Sequence, residues 1–288
     1  MKERNFCIQL LNRWLAASCL TVVLCLSHPA SLLAAATYRP QSPAYGYEIL
    51  RTLPKPQASF TQGLQRDGDV LLESSGHYGR SFVQRVRITD GHILHQHRLP
   101  RNRFAEGAAV IGDVAHVLTW RSGELLRFDR RQLQPLSSLH YDGEGWGLTP
   151  MGDQLLMSDG SARLCRHRRI DFRRLDCITV RENGRPVQQL NDLTFDGERI
   201  WANIWKESRV LAINPASGEV MAQLSLQALA DMEDRNDTDE VLNGLAWDAG
   251  QQALWVTGKY WRNYYLLRLL PPAGSTSAIP DLDQAGSQ

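Results

Sequence analysis

The sequence lacks the patterns on which several common protein classes depend. It contains no Gly-rich phosphate-binding loop and no Ser-His-Asp arrangement. No segment before residue 220 shows the 3.6-residue apolar period of a long helix. What is present instead is a series of short runs rich in branched and aromatic residues, separated by turn signals, and these runs predict strands.

An excess of charge of one sign is also missing. The chain has 32 Lys and Arg against 31 Asp and Glu. Residues 1–36 hold three of the basic residues and one of the acidic residues, so the remainder has a net charge of −1. This balance suggests neither nucleic acid nor an anionic membrane as a partner.

Cysteine is scarce, and three of the five cysteines lie within residues 1–36. The other two, Cys165 and Cys177, lie at equal distances from Asp171, the centre of a predicted hairpin turn. Equal distance makes them cross-strand neighbours, and an oxidising compartment would allow a disulfide. Two free thiols on different faces of the sheet are the alternative. Two cysteines without matching His spacing make a poor zinc site.

The N-terminus has the pattern of a secretory signal peptide. A basic start is followed by WLAASCLTVVLCL and then by an Ala-x-Ala ending that places cleavage after Ala36. A retained membrane anchor is the alternative, but the apolar run is shorter than the roughly 20 residues of a spanning helix. We therefore predict a signal peptide over residues 1–36, a linker over 37–44, and a periplasmic or secreted protein without stable membrane insertion. Residues 271–288 are predicted to be a disordered tail.

A short motif recurs five times, as FTQGL, FAEGA, EGWGL, QLNDL and VLNGL. Its marker residues, which precede Gly or, in the fourth copy, Asp, are separated by 44, 40, 45 and 52 residues. The markers are Gln62, Glu106, Trp146, Asn191 and Asn243. A repeat of this length is typical of a propeller blade of four short strands. Because the first strand of each blade lines the central channel, the markers are predicted to converge around one mouth.

A second set of positions accompanies the markers. Fourteen residues after each marker, where the second strand should end, the sequence has Gly76, Trp120, Gly160 and Trp205. The fifth copy reaches Lys259 after a one- or two-residue insertion. A hairpin returns its second strand beside the start of its first, so this second set should surround the first.

The last copy is one strand short. YGYEILRTLP, residues 45–54, alternates suitably and is predicted to complete the last blade, which leaves no open edge. Residues 220–237 are predicted to contain a short helix or a loop. The sequence therefore predicts an all-β, five-bladed β-propeller over residues 45–270, closed by an N-terminal strand.

Nine ordered motifs within residues 45–270 carry a family resemblance: SFTQGL, ESSGHYGRS, FAEG, GWGLT, SDGS, LND, NIW, INPASGEV, and NGLAWD followed by LWVTGKYW. At these motifs the chain resembles the plant-type and bacterial glutamine cyclotransferases. The resemblance implies a five-bladed propeller that converts the N-terminal glutamine of peptides or proteins to pyroglutamate and releases ammonia. It also implies an aminoacyltransferase that works without a metal or another cofactor. One departure is LNDLT in place of the usual LNELE, and no role is predicted for Asp192 or Thr194.

The family's active-site motif falls, position by position, on nine residues. They are Phe60, Gln62, Phe104, Glu106, Trp120, Trp146, Asn191, Trp205 and Lys259. Glu106, the only acid among the markers, is predicted to move the proton from the substrate's α-amine to the leaving ammonia. Lys259 is predicted to stabilise the oxyanion. The tryptophans would form the walls and offer indole N–H donors, and Gln62 and Asn191 would hold the substrate's amide and backbone carbonyl. Ordinary structural roles are the alternative for each.

Other polar clusters carry less weight. His92, His95 and His97 fall on a predicted outer strand and are interpreted as a solvated face, and the acids of DMEDRNDTDE lack the spacing of a known calcium loop. We expect a monomer. The rival hypothesis is a non-catalytic periplasmic propeller that binds peptide termini or envelope partners. A hydrolase of sugars or lactones is a third reading, but it would need a metal and several inward carboxylates, and the markers include only one acid, Glu106.

Overall fold

The computed structural model describes residues 42–233 and 238–272. The predicted signal peptide lies outside the described residues, as do most of the predicted linker and nearly all of the predicted tail. Over the described ranges the chain is all-β, with strands throughout and one short helix. No helix in these ranges is long and apolar enough to cross a membrane.

Three sheets are antiparallel meanders of four strands, in which strands that follow one another in sequence are paired. They come after an N-terminal strand, β1 (Ala44–Pro54). The first meander consists of β2 (Thr61–Asp67), β3 (Val70–Ser75), β4 (Phe82–Arg87) and β5 (Ile93–Arg98). The second consists of β6 (Ala105–Ile111), β7 (Val114–Thr119), β8 (Glu124–Asp129) and β9 (Leu139–His140). The third consists of β10 (Leu148–Met151), β11 (Gln154–Ser158), β12 (Arg163–Arg168) and β13 (Arg174–Thr179).

The rest of the chain forms a hairpin, a fourth meander, the helix and three final strands. The hairpin consists of β14 (Arg181–Glu182) and β15 (Arg185–Pro186). The fourth meander consists of β16 (Leu190–Phe195), β17 (Ile200–Ile204), β18 (Arg209–Ile213) and β19 (Val220–Ser225). The helix α1 (Gln227–Met232) precedes β20 (Leu242–Asp248), β21 (Ala253–Gly258) and β22 (Asn263–Leu270). The helix lies in the segment for which the sequence predicted a short helix or a loop.

Turn residues determine where these strands end. The turn between β2 and β3 contains Gly68 with φ of 65°, and the turn between β6 and β7 contains Gly112 with φ of 61°. Glycine adopts this left-handed conformation without steric cost, and tight hairpins require it. The turn signals RDGD and IGD therefore separate first from second strands where the sequence predicted.

The N-terminal strand β1 completes the last meander. It pairs antiparallel with β22 over a long register from Gly46↔Leu270 to Pro54↔Asn263, which is the role predicted for residues 45–54. At its start β1 also pairs in parallel with β19 over two residue pairs, of which the first is Ala44↔Gln223. This short parallel contact was not predicted, and it merges the fourth and last meanders into one eight-stranded sheet.

The first strands of successive meanders contact one another: β2 contacts β6, β6 contacts β10, β10 contacts β16, and β20 contacts both β16 and β2. Glycine allows this close approach. A Cβ atom on Gly63 would lie 2.3 Å from the backbone nitrogen of Ala108, and one on Gly107 would lie 2.5 Å from the backbone nitrogen of Leu148. These distances are far below van der Waals contact. The Gly of the repeated motif is therefore a packing requirement.

Apolar cores lie between neighbouring sheets. Leu72 and Val83 of the first meander pack with Ala108 and Val117 of the second, and all four side chains are fully buried. This packing fixes adjacent sheets face to face and positions the starts of their first strands side by side.

The third and fourth strands of the meanders contain the two cysteines and two of the histidines that the sequence singled out. Cys165 and Cys177 are directly opposed on β12 and β13 and form a disulfide, so the structure does not contain the alternative of two free thiols. His95 and His97 lie on β5, the outermost strand of its meander. His97 is not simply solvated, however, because its ring packs 5.0 Å from that of Phe128 in the next sheet.

Candidate active site

A pocket of about 390 Å³ lies where first strands begin and second strands end. All nine positions that the sequence predicted for the site line it: Phe60, Gln62, Phe104, Glu106, Trp120, Trp146, Asn191, Trp205 and Lys259. The strand ends explain the convergence. Gln62, Glu106 and Asn191 are each the second residue of a first strand, whereas Trp120, Trp205 and Lys259 each directly follow a second strand.

The fifth marker does not belong to the pocket. The Asn243 side chain donates hydrogen bonds from Nδ2 to the backbone oxygens of Thr61 and Gln62, at 3.0 and 3.1 Å. It therefore ties β20 to β2 beneath the site. The prediction that all five markers converge around the mouth was wrong for Asn243, because a position next to the channel can serve the strands as well as a ligand.

Glu106 is the buried acid of the pocket, with 4% of its surface exposed. Gln62 Nε2 donates a hydrogen bond of 2.9 Å to Glu106 Oε1. Burial raises the pKa of Glu106 well above its ordinary value, while the charge of Lys259 and the bond from Gln62 oppose the rise. The negative charges of Glu144 and Asp192 raise this pKa further. A carboxyl group with a raised pKa keeps its proton to a higher pH than an exposed one and is a better proton donor to a leaving amine than to water.

Lys259 is the buried cation of the pocket, also 4% exposed. Its Nζ lies 4.5 Å from the centre of the Phe60 ring. Burial lowers the pKa of Lys259, and the charges of Glu106 and Asp239 oppose the decrease. Within the described residues, Lys259 and Glu106 do not form a direct ion pair, so the two charges interact across the pocket.

Two buried acceptors of the pocket lack a protein partner. Gln62 Oε1 and Asn191 Oδ1 make no hydrogen bond among the described residues. A buried acceptor without a donor is costly and is normally satisfied by a ligand or by water. The pocket therefore offers two fixed acceptors beside a carboxylate, which is an arrangement suited to N–H groups.

Aromatic rings form the walls. The rings of Trp146 and Trp205 meet edge to face at 5.8 Å, and those of Phe104 and Trp120 lie 5.5 Å apart. The second set of positions alternates between Trp and Gly for a steric reason. A Cβ atom on Gly160 would lie 2.8 Å from the Trp146 ring. One on Gly76 would lie 2.3 Å from the Phe104 ring, so both glycines make room for a wall residue.

Glu144 lines the pocket and was missed by the sequence analysis. Its Oε2 accepts hydrogen bonds from the indole nitrogens of Trp120, at 2.7 Å, and Trp146, at 3.1 Å. Its Oε1 accepts a bond of 2.9 Å from Nε of Arg121, whose guanidinium lies 3.8 Å from the centre of the Trp120 ring. The expectation that these two indole N–H groups serve a substrate was wrong, because Glu144 already binds both. The motif EGWGL contains this acid two residues before Trp146, which was the available signal.

Among the described residues, the remaining lining residues are Gln189 and Asp239, which are exposed at the rim.

Asp192 and Thr194, the departures from the family motif, have structural contacts. Asp192 Oδ2 accepts hydrogen bonds from the backbone nitrogens of Leu64 and Leu245, and so joins β16 to two other first strands. Within the described ranges no group of three or more His, Cys, Asp or Glu side chains is arranged to hold a metal ion.

Comparison with known proteins identifies the family. A family model described as "Glutamine cyclotransferase" matches residues 20–269. The chain belongs to the glutamine cyclotransferase family. The family resemblance predicted from the nine motifs is thereby confirmed.

Two known proteins illustrate the similarity. The chain is 33% identical over 226 residues to the glutaminyl-peptide cyclotransferase of Arabidopsis thaliana. The aligned region covers 77% of this chain and 71% of that relative. It is similar in structure to the glutaminyl cyclase of Myxococcus xanthus, with a TM-score of 0.75 and 32% identity. That match covers 80% of this chain and 99% of the crystallised chain. The structural similarity agrees with the all-β fold, and both comparisons agree with an enzymatic role.

Proposed function

We propose that the protein converts the N-terminal glutamine of a peptide or protein to pyroglutamate and releases ammonia. In classification terms it would be an aminoacyltransferase that needs no metal or other cofactor. Family membership supports the reaction. The observation that carries the proposal is a buried Glu106, held by Gln62, in an aromatic pocket that also contains Lys259.

The reaction requires two proton transfers, the formation of one carbon–nitrogen bond and the cleavage of another. The substrate's α-nitrogen attacks its own side-chain carbonyl carbon, which forms the ring bond and turns the carbonyl oxygen into an oxyanion. Collapse of this intermediate breaks the bond to the side-chain nitrogen, which leaves as ammonia. The attacking nitrogen must lose a proton, and the leaving nitrogen must gain one.

Glu106 is suited to both transfers. As a carboxylate it accepts the proton from the α-nitrogen, and as a carboxylic acid it returns that proton to the leaving nitrogen. Its raised pKa brings it closer to the pKa of the amine, which makes the exchange less costly in each direction. The hydrogen bond from Gln62 keeps the carboxyl group in one orientation throughout.

Lys259 is suited to the oxyanion. Of the two cations that line the pocket among the described residues, Arg121 is already bound to Glu144, whereas Lys259 faces the pocket beside the Phe60 ring. A fixed positive charge in a water-poor site stabilises negative charge that develops in the transition state.

Substrate positioning is assigned to the unpartnered acceptors and the rings. Gln62 Oε1 and Asn191 Oδ1 would accept hydrogen bonds from N–H groups of the substrate. The walls around Trp146 and Trp205 would hold the glutamine side chain folded back on its amine, and such restriction of geometry lowers the barrier to ring closure.

The architecture that carries this site is proposed to be a five-bladed propeller. Support comes from the closed cycle of contacts among β2, β6, β10, β16 and β20, each the first strand of a meander. The antiparallel pairing of β1 with β22 supplies the fourth strand of the last blade.

We further propose that the protein acts in the periplasm or outside the cell as a monomer, after cleavage of residues 1–36. The disulfide between Cys165 and Cys177 supports this location, because such bonds persist in oxidising compartments.

The decisive assay for this reaction is incubation of the purified protein with Gln-Ala-Ala-NH₂. One ammonia per peptide and a blocked N-terminus are expected. The N-acetylated peptide should not react, because its nitrogen has no usable lone pair. Ammonia release from the acetylated peptide would mean that water is the nucleophile and that the protein is a deamidase. No ammonia from either peptide would favour the non-catalytic rival.

A further inference from the structure

A second recess adjoins the pocket on one side. It has a volume of about 550 Å³, and we call it the β14–β15 groove because that hairpin forms its outer wall. Gln189 and Trp205 line both the pocket and the groove. Val187 and Ile204 form an apolar floor. The two recesses therefore adjoin at Gln189 and Trp205, which separate them as a ridge.

The rim of the pocket differs from side to side. On the Arg121 side, the guanidinium lies over Trp120 and is bound to Glu144, which closes that side with a paired ion. On the Gln189 side the pocket adjoins the groove, and no ion pair stands between them among the described residues. A chain that enters the pocket by its N-terminus can therefore continue past Trp205 without displacing an ion pair.

The ridge between pocket and groove is held in an unusual backbone conformation. Gln189 and Lys206, neither of them glycine, have positive φ angles of 65° and 68°. Their backbones hold Trp205 between them, since the Trp205 nitrogen donates a hydrogen bond of 2.9 Å to the Gln189 oxygen. Such conformations persist where the surroundings impose them, and they concentrate at ligand-binding sites. The ridge is thus held in place by its backbone.

We propose that the β14–β15 groove binds the residues that follow the N-terminal glutamine of a peptide substrate. This inference rests on the proposed function. The site is a trough with an apolar floor, polar side chains along it and Trp205 at its edge, which suits an extended main chain. At about 3.3 Å per residue, two or three further residues would extend about 7–10 Å beyond the pocket.

The charges in the groove indicate which side chains it prefers. Both carboxylates are bound to one guanidinium: Glu182 and Glu207 each accept hydrogen bonds from Arg209. Arg185 lines the groove, is exposed, and makes no ion pair within the described part of the chain. Two guanidiniums and two carboxylates line the described part of the groove, so their charges balance. Arg185 is the one among them without an ion pair, so beside Arg185 the groove should prefer an acidic side chain over a basic one.

Peptide length is the first test. The kcat/KM for ammonia release is measured for Gln-NH₂ and for the same residue extended by one, two and three alanines, all amidated. A rise of about 10-fold over the series is expected, since contacts remote from the reacting atoms increase transition-state binding. Gln188→Trp, at an exposed position in the groove but not in the pocket, should flatten the series and leave Gln-NH₂ unchanged. Gln132→Trp, at an exposed turn position, is the matched control and should keep the rise.

Charge preference is the second test and does not depend on a bulky substitution. Asp and Lys are compared at the second, third and fourth positions of the tetrapeptide. The wild-type protein should prefer Asp at one or more of them, and Arg185→Glu should reverse that preference. Arg98→Glu makes the same change of charge on the exposed end of β5, and it should leave the preference for Asp unchanged.

The outcomes separate this inference from the proposed function. If Gln-NH₂ and all peptides release no ammonia, the proposed function fails. If Gln-NH₂ reacts but length and charge have no effect, the function stands and the groove is not a peptide site. A rise with length that Gln188→Trp leaves intact would show that the chain leaves the pocket elsewhere, and would also overturn the inference. Melting temperatures of the variants confirm that folded proteins are compared.

Discussion

Gln62 Nε2 donates a hydrogen bond of 2.9 Å to Glu106 Oε1, and this bond joins two residues that are 44 apart in sequence and lie on the first strands of adjacent sheets. The two residues occupy the same position in two copies of the repeated motif. The repeat therefore brings the buried acid and the amide that orients it into contact.

Substitution of Gln62 should shift the pH dependence of the reaction. A donor to a carboxylate favours the charged form, so Gln62→Met should raise the pKa of Glu106 further. Because Glu106 must be charged to accept the first proton, activity should be lost at a higher pH than in the wild type as the pH falls. A decrease in kcat/KM of about 10-fold is expected at neutral pH.

The measurement is kcat/KM against pH with one substrate, so that the titration of the substrate's amine is common to both proteins. Gln65→Met on the same strand is the control. Gln65 binds the Val110 backbone outside the pocket. Its loss should affect stability without changing the acidic pH at which kcat/KM falls. If kcat/KM of Gln62→Met falls at the same acidic pH as that of the wild type, the assigned contact between Gln62 and Glu106 is contradicted.

Glu144 should act on substrate binding rather than on the chemical step. Glu144→Leu removes the acceptor of two indole N–H groups and should raise KM by about 10-fold with little change in kcat, because the walls lose their fixed orientation. Glu144→Gln keeps an acceptor oxygen and should stay within about 3-fold of the wild type. Equal effects of both variants on kcat alone would place Glu144 in the chemistry.

A buried ion pair next to β1 should dominate the stability of the seam between the first and last meanders. Lys55 and Glu73 lie 3.1 Å apart with side chains 1% and 0% exposed, and Glu73 also accepts a bond of 2.6 Å from the Tyr264 hydroxyl. Lys55→Met leaves a buried carboxylate without its cation and should lower the free energy of unfolding by about 3–5 kcal/mol. Adding Glu73→Gln should recover part of this loss. Denaturant unfolding measures both, and a double variant less stable than the single one would contradict the explanation.

The disulfide should be detectable in the purified protein. Peptide mapping before reduction should find Cys165 and Cys177 linked, with neither alkylated. The sequence separation is 12 residues, so chain entropy limits the stabilisation to roughly 3 kcal/mol. Alkylation of both residues without reduction would show that the bond is absent.

The sequence revealed most of the site because the site follows the repeat. Gln62, Glu106 and Asn191 share one register and Trp120 and Trp205 share another, so counting along the chain brought these five together. Lys259 joined them only after an insertion of one or two residues was allowed. Glu144 belongs to neither register, and its role depends on where two indole nitrogens point. Asn243 shared the register but binds backbone. Its role could not be distinguished by spacing, because both uses require an amide at the same position.

The fold shows the same limit. Meanders and turns are local, and RDGD and IGD marked them correctly. The long pairing of β1 with β22 could be predicted because the last meander lacked a strand. The short parallel pairing of β1 with β19, which begins at Ala44↔Gln223, could not be predicted. It depends on how two completed sheets meet and not on a sequence pattern within either sheet.

The central claim is that Glu106 carries the proton, and Glu106→Gln tests it most directly. The measurement is kcat for ammonia release from Gln-Ala-Ala-NH₂, with circular dichroism and melting temperature to show that the variant is folded. The substitution keeps the size of the side chain but removes its ability to accept and return a proton, so turnover should fall by on the order of 10²- to 10⁴-fold. A folded Glu106→Gln protein that retains nearly full turnover would remove Glu106 from the mechanism.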